Sequence, residues 1–311
     1  MIPFEQKQFI AKDGTTIFYY ETPVTADTEC LMIVIHGMTE HASRYRGFAE
    51  KLFRKNISLM TMDLRGHGAT GQAAGIMGHF ADEAGWDKMI GDIQQFTEML
   101  QADHPGLPVI LFGHSMGSIA ARTCLIRFGE LYQAGIICGT TIGIAPPVVS
   151  TGLAVANLEI KHGGPTRLSK MLVQLSFGSY NQKFKPTRTD FDWLSSNPAH
   201  VDTYMADPLC GFMCTAAFYR DMFNGLKETN KIDNISKMNK NMPVLLISGM
   251  DDPVGGMGKE VKTLYKKMQK AELTHVDCTL FPGKRHELVN DDEDGEVFNR
   301  ILDFVEKALG N

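Results

Sequence analysis

The stretch "LFGHSMGSIA", residues Leu111–Ala120, decides how this chain folds. An apolar run from Pro108 leads into a Gly-His-Ser-Met-Gly turn, and small helix-compatible residues follow it directly. In a G-x-S-x-G pattern the serine lies on a strained strand-to-helix turn that exposes its hydroxyl, and the glycines avoid collisions with nearby backbone. The strand–turn–helix context makes Ser115 a candidate nucleophile, with a tight turn that carries no chemistry as the alternative.

Outward from this stretch, short apolar runs alternate with helix-like segments. The runs are mostly apolar rather than alternating, as expected for strands buried on both faces of a parallel sheet. Strands that alternate with helices predict an α/β fold with a mainly parallel, twisted sheet flanked by helices. A segment around Asp13-Gly14 predicts a β-hairpin at an antiparallel edge. The other apolar runs cover residues 31–37, 57–68, 134–143, 242–252 and 275–283.

Residues 147–207 interrupt this alternation and contain no clear strand. They include Gly163-Gly164-Pro165 and an apolar periodic piece with Leu168, Met171, Leu172 and Leu175. The regular spacing favours a helical cap insertion over a long surface loop, which is the alternative. The predicted division is therefore a core of residues 1–146 and 208–311, with a cap of residues 147–207 over its ligand-binding end.

A serine hydroxyl needs a base to act as a nucleophile at neutral pH. A serine on such a turn, called a nucleophile elbow, is followed later in the chain first by the catalytic acid and then by the catalytic histidine. Asp251 and Asp252 come just after the run at 242–252, and His286 follows the run at 275–283. His286 would take the proton of Ser115, and Asp252 would orient the imidazole and stabilise its charged form. The spacing after Gly249 favours Asp252, and Asp251 stays open as the acid.

An acyl-transfer site also needs donors for the developing oxyanion. The backbone N–H of Met116, directly after the candidate nucleophile, is one predicted donor. The other is the backbone N–H of Met38, in the loop that follows the first core strand. The remaining histidines are weaker candidates. His114 is expected to point away from the Ser115 hydroxyl. His162 and His200 lie in the cap, where exposure is favoured over lining the pocket.

Composition narrows the classes of function. The chain has 311 residues and a net charge of −5, with both signs interspersed, so nothing favours nucleic acid as a partner. The run from Leu131 to Leu158 carries no charge, but its glycines and the Pro146-Pro147 pair argue against a membrane span. The N-terminus has no apolar segment typical of a signal peptide, which favours a cytoplasmic location.

The six cysteines show no paired metal-ligand spacing. Cys210 and Cys214 lie four residues apart and could share a helix face, where core packing is favoured over metal binding. Free thiols fit a reducing compartment. The sequence thus predicts neither a metal site nor a cofactor.

Several motifs together resemble the monoglyceride lipase and lysophospholipase-like branch of the α/β-hydrolases, which includes serine aminopeptidase-like hydrolases. These motifs are HGMTEHASRYRGFAEKL (residues 36–52), DLRGHG (63–68), GHSMG (113–117), GMDDPV (249–254) and RHEL (285–288). The resemblance implies an α/β-hydrolase fold and ester hydrolysis through an acyl-serine intermediate, without metal or organic cofactor.

The resemblance maps Ser115, Asp252 and His286 to a catalytic triad, and Met38 and Met116 to the oxyanion hole. It gives the Asp63–Gly68 turn a structural role. Ser118 departs from the pattern, since many relatives have glycine there. The cap matches no quoted motif, which leaves substrate choice open.

The favoured function is hydrolysis of a lipid-like monoester, such as a monoacylglycerol or a lysophospholipid. Its partner would be a small ester or lipid, and the cap would allow transient contact with a membrane or micelle. The same triad would also serve a peptidase, amidase, thioesterase or carbon–carbon hydrolase. A dehalogenase would need an acid at position 115, and a non-catalytic scaffold is disfavoured because no triad residue is missing. The oligomeric state stays open.

Overall fold

The computed structural model describes residues 2–143 and 146–310. Its eight strands form one sheet in the order β1-β2-β4-β3-β5-β6-β7-β8. The strands are β1 (Glu5–Ile10), β2 (Thr16–Glu21), β3 (Cys30–Ile35), β4 (Ile57–Met62), β5 (Val109–His114), β6 (Ala134–Cys138), β7 (Val244–Gly249) and β8 (Val276–Phe281). The pairs β1–β2 and β2–β4 are antiparallel, and every other pair is parallel. The predicted parallel sheet with a hairpin at one edge is confirmed.

Helices connect the strands and cover the sheet. They are α1 (Arg46–Phe53), α2 (Gly68–Ala73), α3 (Gly85–Asp103), α4 (Met116–Arg127), α5 (Pro146–Gly163), α6 (Lys170–Phe177), α7 (Pro198–Ala206), α8 (Ala216–Thr229), α9 (Ile232–Ile235), α10 (Lys259–Lys270) and α11 (Glu296–Leu309). Short 3-10 turns occur at Ala42–Tyr45, Gly129–Leu131 and Tyr180–Phe184.

Two apolar cores lie on opposite faces of the sheet. Within β3, Leu31 and Ile33 face the core that α3, α4, α8 and α10 complete. Met32 and Val34 face the core that α1 and α11 complete. Successive side chains of a strand point to opposite faces, so a strand buried on both faces is apolar throughout. This explains why the strands were visible as uninterrupted apolar runs.

Between β6 and α8 the described residues form α5, α6, the last 3-10 turn and α7, and they add no strand to the sheet. A separate apolar cluster there contains Trp193, Leu194 and Tyr204. The predicted cap range of 147–207 covers these elements except Pro146, the first residue of α5, but its role as a separate domain stays a prediction. Nothing is described of Ile144 and Ala145, which lie just before its predicted start.

One local prediction is wrong. Cys210 and Cys214 do not share a helix face, because residues 207–214 form turns and irregular chain. The helix starts later, since the Thr215 side chain accepts a hydrogen bond from the Phe218 N–H and caps α8. Cys214 is buried, whereas Cys210 is half-buried on the preceding loop.

Within the part of the chain that the structure describes, no helix is both long and apolar enough to cross a bilayer. The uncharged run at 131–158 contains β6 and the first part of α5 instead.

Candidate active site

Ser115 alone separates the end of β5 from the start of α4. Its φ angle is 54°, a left-handed value that costs a residue with a side chain about 1–3 kcal/mol. The Ser115 N–H donates to the carbonyl oxygen of Cys138 at 3.0 Å, which fixes the turn to the neighbouring strand β6. The strained serine therefore lies at the carboxyl end of the central parallel strands, where sheets of this type bind ligands.

The flanking glycines are required by close backbone contacts. A Cβ added to Gly113 would lie 2.3 Å from the Gly117 carbonyl oxygen. A Cβ added to Gly117 would lie 2.1 Å from the carbonyl oxygen of Ile35. The start of α4 therefore packs so closely against β5 at Gly113, and against the end of β3 at Gly117, that neither position has room for a side chain.

A buried acid–base pair lies at the same edge of the sheet. Nδ1 of His286 donates to Oδ2 of Asp252 at 2.9 Å, and both residues are buried. The Asp252 carboxylate also accepts bonds from the Ser248 hydroxyl at 3.2 Å and the Val254 N–H at 2.9 Å. Because Nδ1 carries the donated proton, Nε2 is left as the acceptor nitrogen. Asp251 is exposed and makes no such contact.

The surroundings of His286 favour its protonated form. Burial alone lowers the pKa of His286, but the charge of Asp252 and the hydrogen bond that His286 donates to it outweigh that effect. Glu287 and Glu40 add to this, so the pKa of His286 is raised above its ordinary value. A base that accepts a proton readily and then holds it near a carboxylate is suited to general base catalysis.

Ser115 and His286 line one cavity of about 340 Å³. Gly37 and Met38 line it from the loop after β3, and Glu40, His114 and Glu287 complete the core side. The remaining wall comes from Thr39 and from the chain between the start of α6 and the first part of α8: Val173, Gln174, Phe177, Gly178, Asn181, Asp190, Phe191, Trp193, Leu194, Tyr204, Gly211, Phe212, Met213 and Tyr219. The cavity thus joins the candidate nucleophile and base to a largely apolar wall.

Of the two residues predicted to supply oxyanion donors, Met116 directly follows Ser115 and Met38 lines the same cavity. Met116 is the first residue of α4, so the positive end of that helix dipole faces the site. Met38 follows Gly37, whose N–H donates to Oε1 of Glu40 at 2.5 Å. The Glu40 side chain therefore fixes the backbone of the loop that carries Met38.

A buried charge network links this loop to the candidate base, and sequence reasoning missed it. Arg44 donates to Oε2 of Glu40 at 2.7 Å and to both carboxylate oxygens of Glu287 at 2.7 and 2.8 Å. Glu40 and Glu287 are 3% and 4% exposed, so one guanidinium serves two desolvated carboxylates. Glu40, Arg44 and Glu287 all belong to the motifs identified in the sequence. Nothing in the local sequence, however, shows that Arg44 pairs with a residue 243 positions away.

His114 directly precedes the candidate nucleophile in the chain. It lines the cavity, and its ring centroid lies 4.6 Å from that of His286. Burial, followed by the charge of His286, lowers the pKa of His114 to about 4. His114 is therefore neutral at neutral pH and packs against the candidate base.

The other histidines and the Asp63–Gly68 turn lie away from the cavity lining. His162 is exposed on α5, and His200 is near Asp291 and Glu293 on a separate groove. Asp63 accepts bonds from the backbone N–H groups of Ala42 and Ala69, both at 2.8 Å, which is a structural role.

The chain before α7 also helps to place His286. The Trp193 ring lies 5.2 Å from the imidazole, and the Leu194 carbonyl accepts the N–H groups of His286 and Glu287 at 3.0 and 2.9 Å. Among the described residues, the cluster with metal-ligand chemistry is His41, Asp207 and Cys210, which lies outside the cavity lining.

The sequence and fold are similar to known hydrolases over nearly the whole chain. The human monoglyceride lipase is 27% identical over 92% of this chain and 85% of its own length. The monoacylglycerol lipase of Mycolicibacterium smegmatis is 24% identical over 98% of both chains. The crystal structure of a thermostable carboxyl esterase from Bacillus coagulans in complex with glycerol superposes with a TM-score of 0.91 at 25% identity, covering 99% of this chain and 100% of that chain.

Residues 26–293 match the family described as serine aminopeptidase, S33. This match covers both halves of the sheet and the chain between them. The chain therefore belongs to this family and is an ester hydrolase of the α/β-hydrolase class.

Proposed function

We propose that this chain is a serine hydrolase that cleaves neutral lipid-like monoesters through an acyl-enzyme on Ser115. The observation that carries the proposal is the strained Ser115 in one cavity with His286, which is hydrogen-bonded to the buried Asp252. The three residues come from three neighbouring loops at the carboxyl end of the sheet, in the chain order typical of this fold.

In the proposed reaction, Nε2 of His286 takes the Ser115 proton as the hydroxyl oxygen attacks the ester carbonyl. The backbone N–H groups of Met38 and Met116 stabilise the oxyanion of the tetrahedral intermediate. His286 then protonates the leaving alcohol, which leaves an acyl-serine, and water attacks this ester by the same route. Asp252 keeps the proton on Nδ1 throughout and stabilises the imidazolium.

The cavity lining supports a neutral head group. Its charged side chains are Glu40, Asp190 and Glu287, and no described lining residue is lysine or arginine. A phosphodiester would find no cationic side chain in this lining, because Arg44 lies outside it and is held by Glu40 and Glu287, and an unpaired charge is unfavourable in a partly desolvated site. A monoacylglycerol therefore fits better than a lysophospholipid, and the names of the similar lipases agree with this choice.

The cavity volume supports a short or medium acyl chain. About 340 Å³ is close to the lower end of the usual range for small-molecule sites, roughly 300–1,000 Å³. The apolar side chains between α5 and α8 that line the cavity would contact the acyl chain, which supports a role for residues 147–207 as a cap.

The experiment measures kcat/KM for a series of monoacylglycerols, the matching lysophosphatidylcholines and short peptides. We expect the monoacylglycerols to be at least about tenfold better than the phospholipids at every length, with the optimum at a short or medium chain. A preference for peptides or for lysophospholipids would contradict the proposal.

A further inference from the structure

Beside the cavity, His41, Asp207 and Cys210 bring nitrogen, oxygen and sulfur ligand atoms together. Nε2 of His41, a carboxylate oxygen of Asp207 and Sγ of Cys210 all lie within 4.8 Å of one another. His41 is buried, and the other two residues are half-buried. From the sequence, core packing was expected for both Cys210 and Cys214. In the structure Cys214 is buried, whereas Cys210 is half-buried on a loop next to His41 and Asp207.

Asp207 and Cys210 are the first and last residues of one tight turn. The Cys210 N–H donates to the Asp207 carbonyl at 3.0 Å, and the Leu209 N–H donates to Oδ1 of Asp207 at 2.8 Å. Oδ2 is thereby directed to Nε2 of His41 at 2.8 Å. Two ligands separated by two residues in a turn, with a histidine from elsewhere in the chain, is a spacing that zinc sites use.

The second ring nitrogen of His41 has its own partner. Nδ1 lies 3.0 Å from the Ser43 hydroxyl. When Nε2 binds a metal ion, the imidazole proton resides on Nδ1. Nδ1 can then donate a hydrogen bond to the Ser43 hydroxyl oxygen. Metal-bound histidines generally have such a partner, which fixes the tautomer and the orientation of the ring.

The charge around the cluster favours a cation. Arg44 is held by Glu40 and Glu287, whereas the partner of the Asp207 carboxylate is the His41 imidazole. Glu40, Glu287 and Asp207 contribute three carboxylates and Arg44 one guanidinium, so negative charge is in excess among these side chains. A bound divalent cation would offset that excess in a region where burial makes it unfavourable.

We propose that Nε2 of His41, the Asp207 carboxylate and the Cys210 thiolate bind Zn²⁺. The thiolate selects a soft or borderline ion over Mg²⁺. His41 and Asp207 also line the surface groove, so the fourth position opens to water. Binding replaces the His41–Asp207 hydrogen bond, moves the imidazole proton to Nδ1 and releases the thiol proton to solvent.

The proposed ion would crosslink the end of the cap to the loop that carries Met38. These segments already meet, since the Gly211 N–H and the Tyr204 hydroxyl donate to the Thr39 carbonyl at 3.0 and 2.9 Å. A crosslink made by an ion that binds only the folded chain raises the stability of that state.

The test is a titration of the purified full chain with Co²⁺, a spectroscopic substitute for Zn²⁺. We expect one equivalent to produce a thiolate-to-cobalt charge-transfer absorption that Zn²⁺ removes and Mg²⁺ does not. Cys210→Ser should lose the absorption, and Asp207→Asn should weaken binding at least about tenfold. Cys278→Ser, which changes another half-buried cysteine, should keep it.

Thermal unfolding checks the fold of each variant and gives a second readout. A Zn²⁺ concentration one hundred times the dissociation constant should raise the Tm of the wild type by about 4 °C. The Tm of Cys210→Ser should not change under the same conditions. Absence of the absorption in the wild type, or its persistence in folded Cys210→Ser, would overturn the site.

Discussion

At the residue scale, the choice between the two neighbouring aspartates can be tested directly. Only Asp252 is bonded to His286, and it is buried, whereas Asp251 is exposed. Asp252→Asn should keep the fold but lower kcat by about 10³–10⁴-fold, because the amide would favour the wrong tautomer of the imidazole. Asp251→Asn is the matched control and should stay within about twofold of the wild type. Steady-state kinetics on one ester decide between them, and the reverse result would assign the acid to Asp251.

The raised pKa of His286 predicts the acid limb of the pH profile. The base must be neutral to accept the Ser115 proton, so activity is present above this pKa and is lost as the pH falls through it. The limb of kcat/KM should therefore lie above the ordinary histidine value of about 6.5. In Asp252→Asn the residual activity should show a limb at lower pH, since burial then acts without the opposing carboxylate. An unchanged limb in that variant would show that Asp252 does not set the pKa.

At the element scale, the close approach of α4 to β3 depends on Gly117. In Gly117→Ala the new Cβ would meet the backbone oxygens of Ile35 and His36 at 2.1 and 2.4 Å, which side-chain motion cannot relieve. We expect a loss of about 3 kcal/mol or more in the free energy of unfolding, measured by denaturant titration.

Gly91→Ala is the control for that substitution. Gly91 lies inside α3, and a Cβ there would meet no heavy atom within 4 Å. Alanine should therefore stabilise the chain by about 0.5–1 kcal/mol, because glycine loses more backbone entropy in a helix. Equal effects at the two positions would show that the elbow is looser than described.

The sequence predicted those parts of the fold that depend on local sterics and burial. The elbow at Ser115 was predictable because its glycines are required by close contacts within the turn itself and with the adjacent strand. The parallel strands were predictable because burial on both faces requires continuous apolar runs. The start of α8 was not predictable in this way, since it depends on which residue caps the helix. The cap is Thr215, so the helix begins after Cys210 and Cys214.

At the scale of the whole molecule, the features that sequence reasoning missed are contacts between distant segments. The Arg44–Glu287 bond and the His41–Asp207 bond join residues 243 and 166 positions apart. Nothing in either local sequence identifies the partner, because the sheet order alone brings those loops together. The same holds for Trp193 and Leu194, which reach His286 from a segment that the quoted motifs do not include.

The assembly of Ser115, His286 and Asp252 into one working site is the central claim, and a fluorophosphonate probe tests it most directly. Such a probe reacts with a serine only when a neighbouring base activates the hydroxyl. We predict that the wild type forms a single adduct, that mass spectrometry locates it on Ser115, and that folded Ser115→Ala is not labelled. Labelling of the Ser115→Ala variant, or no labelling of the folded wild type, would contradict the account.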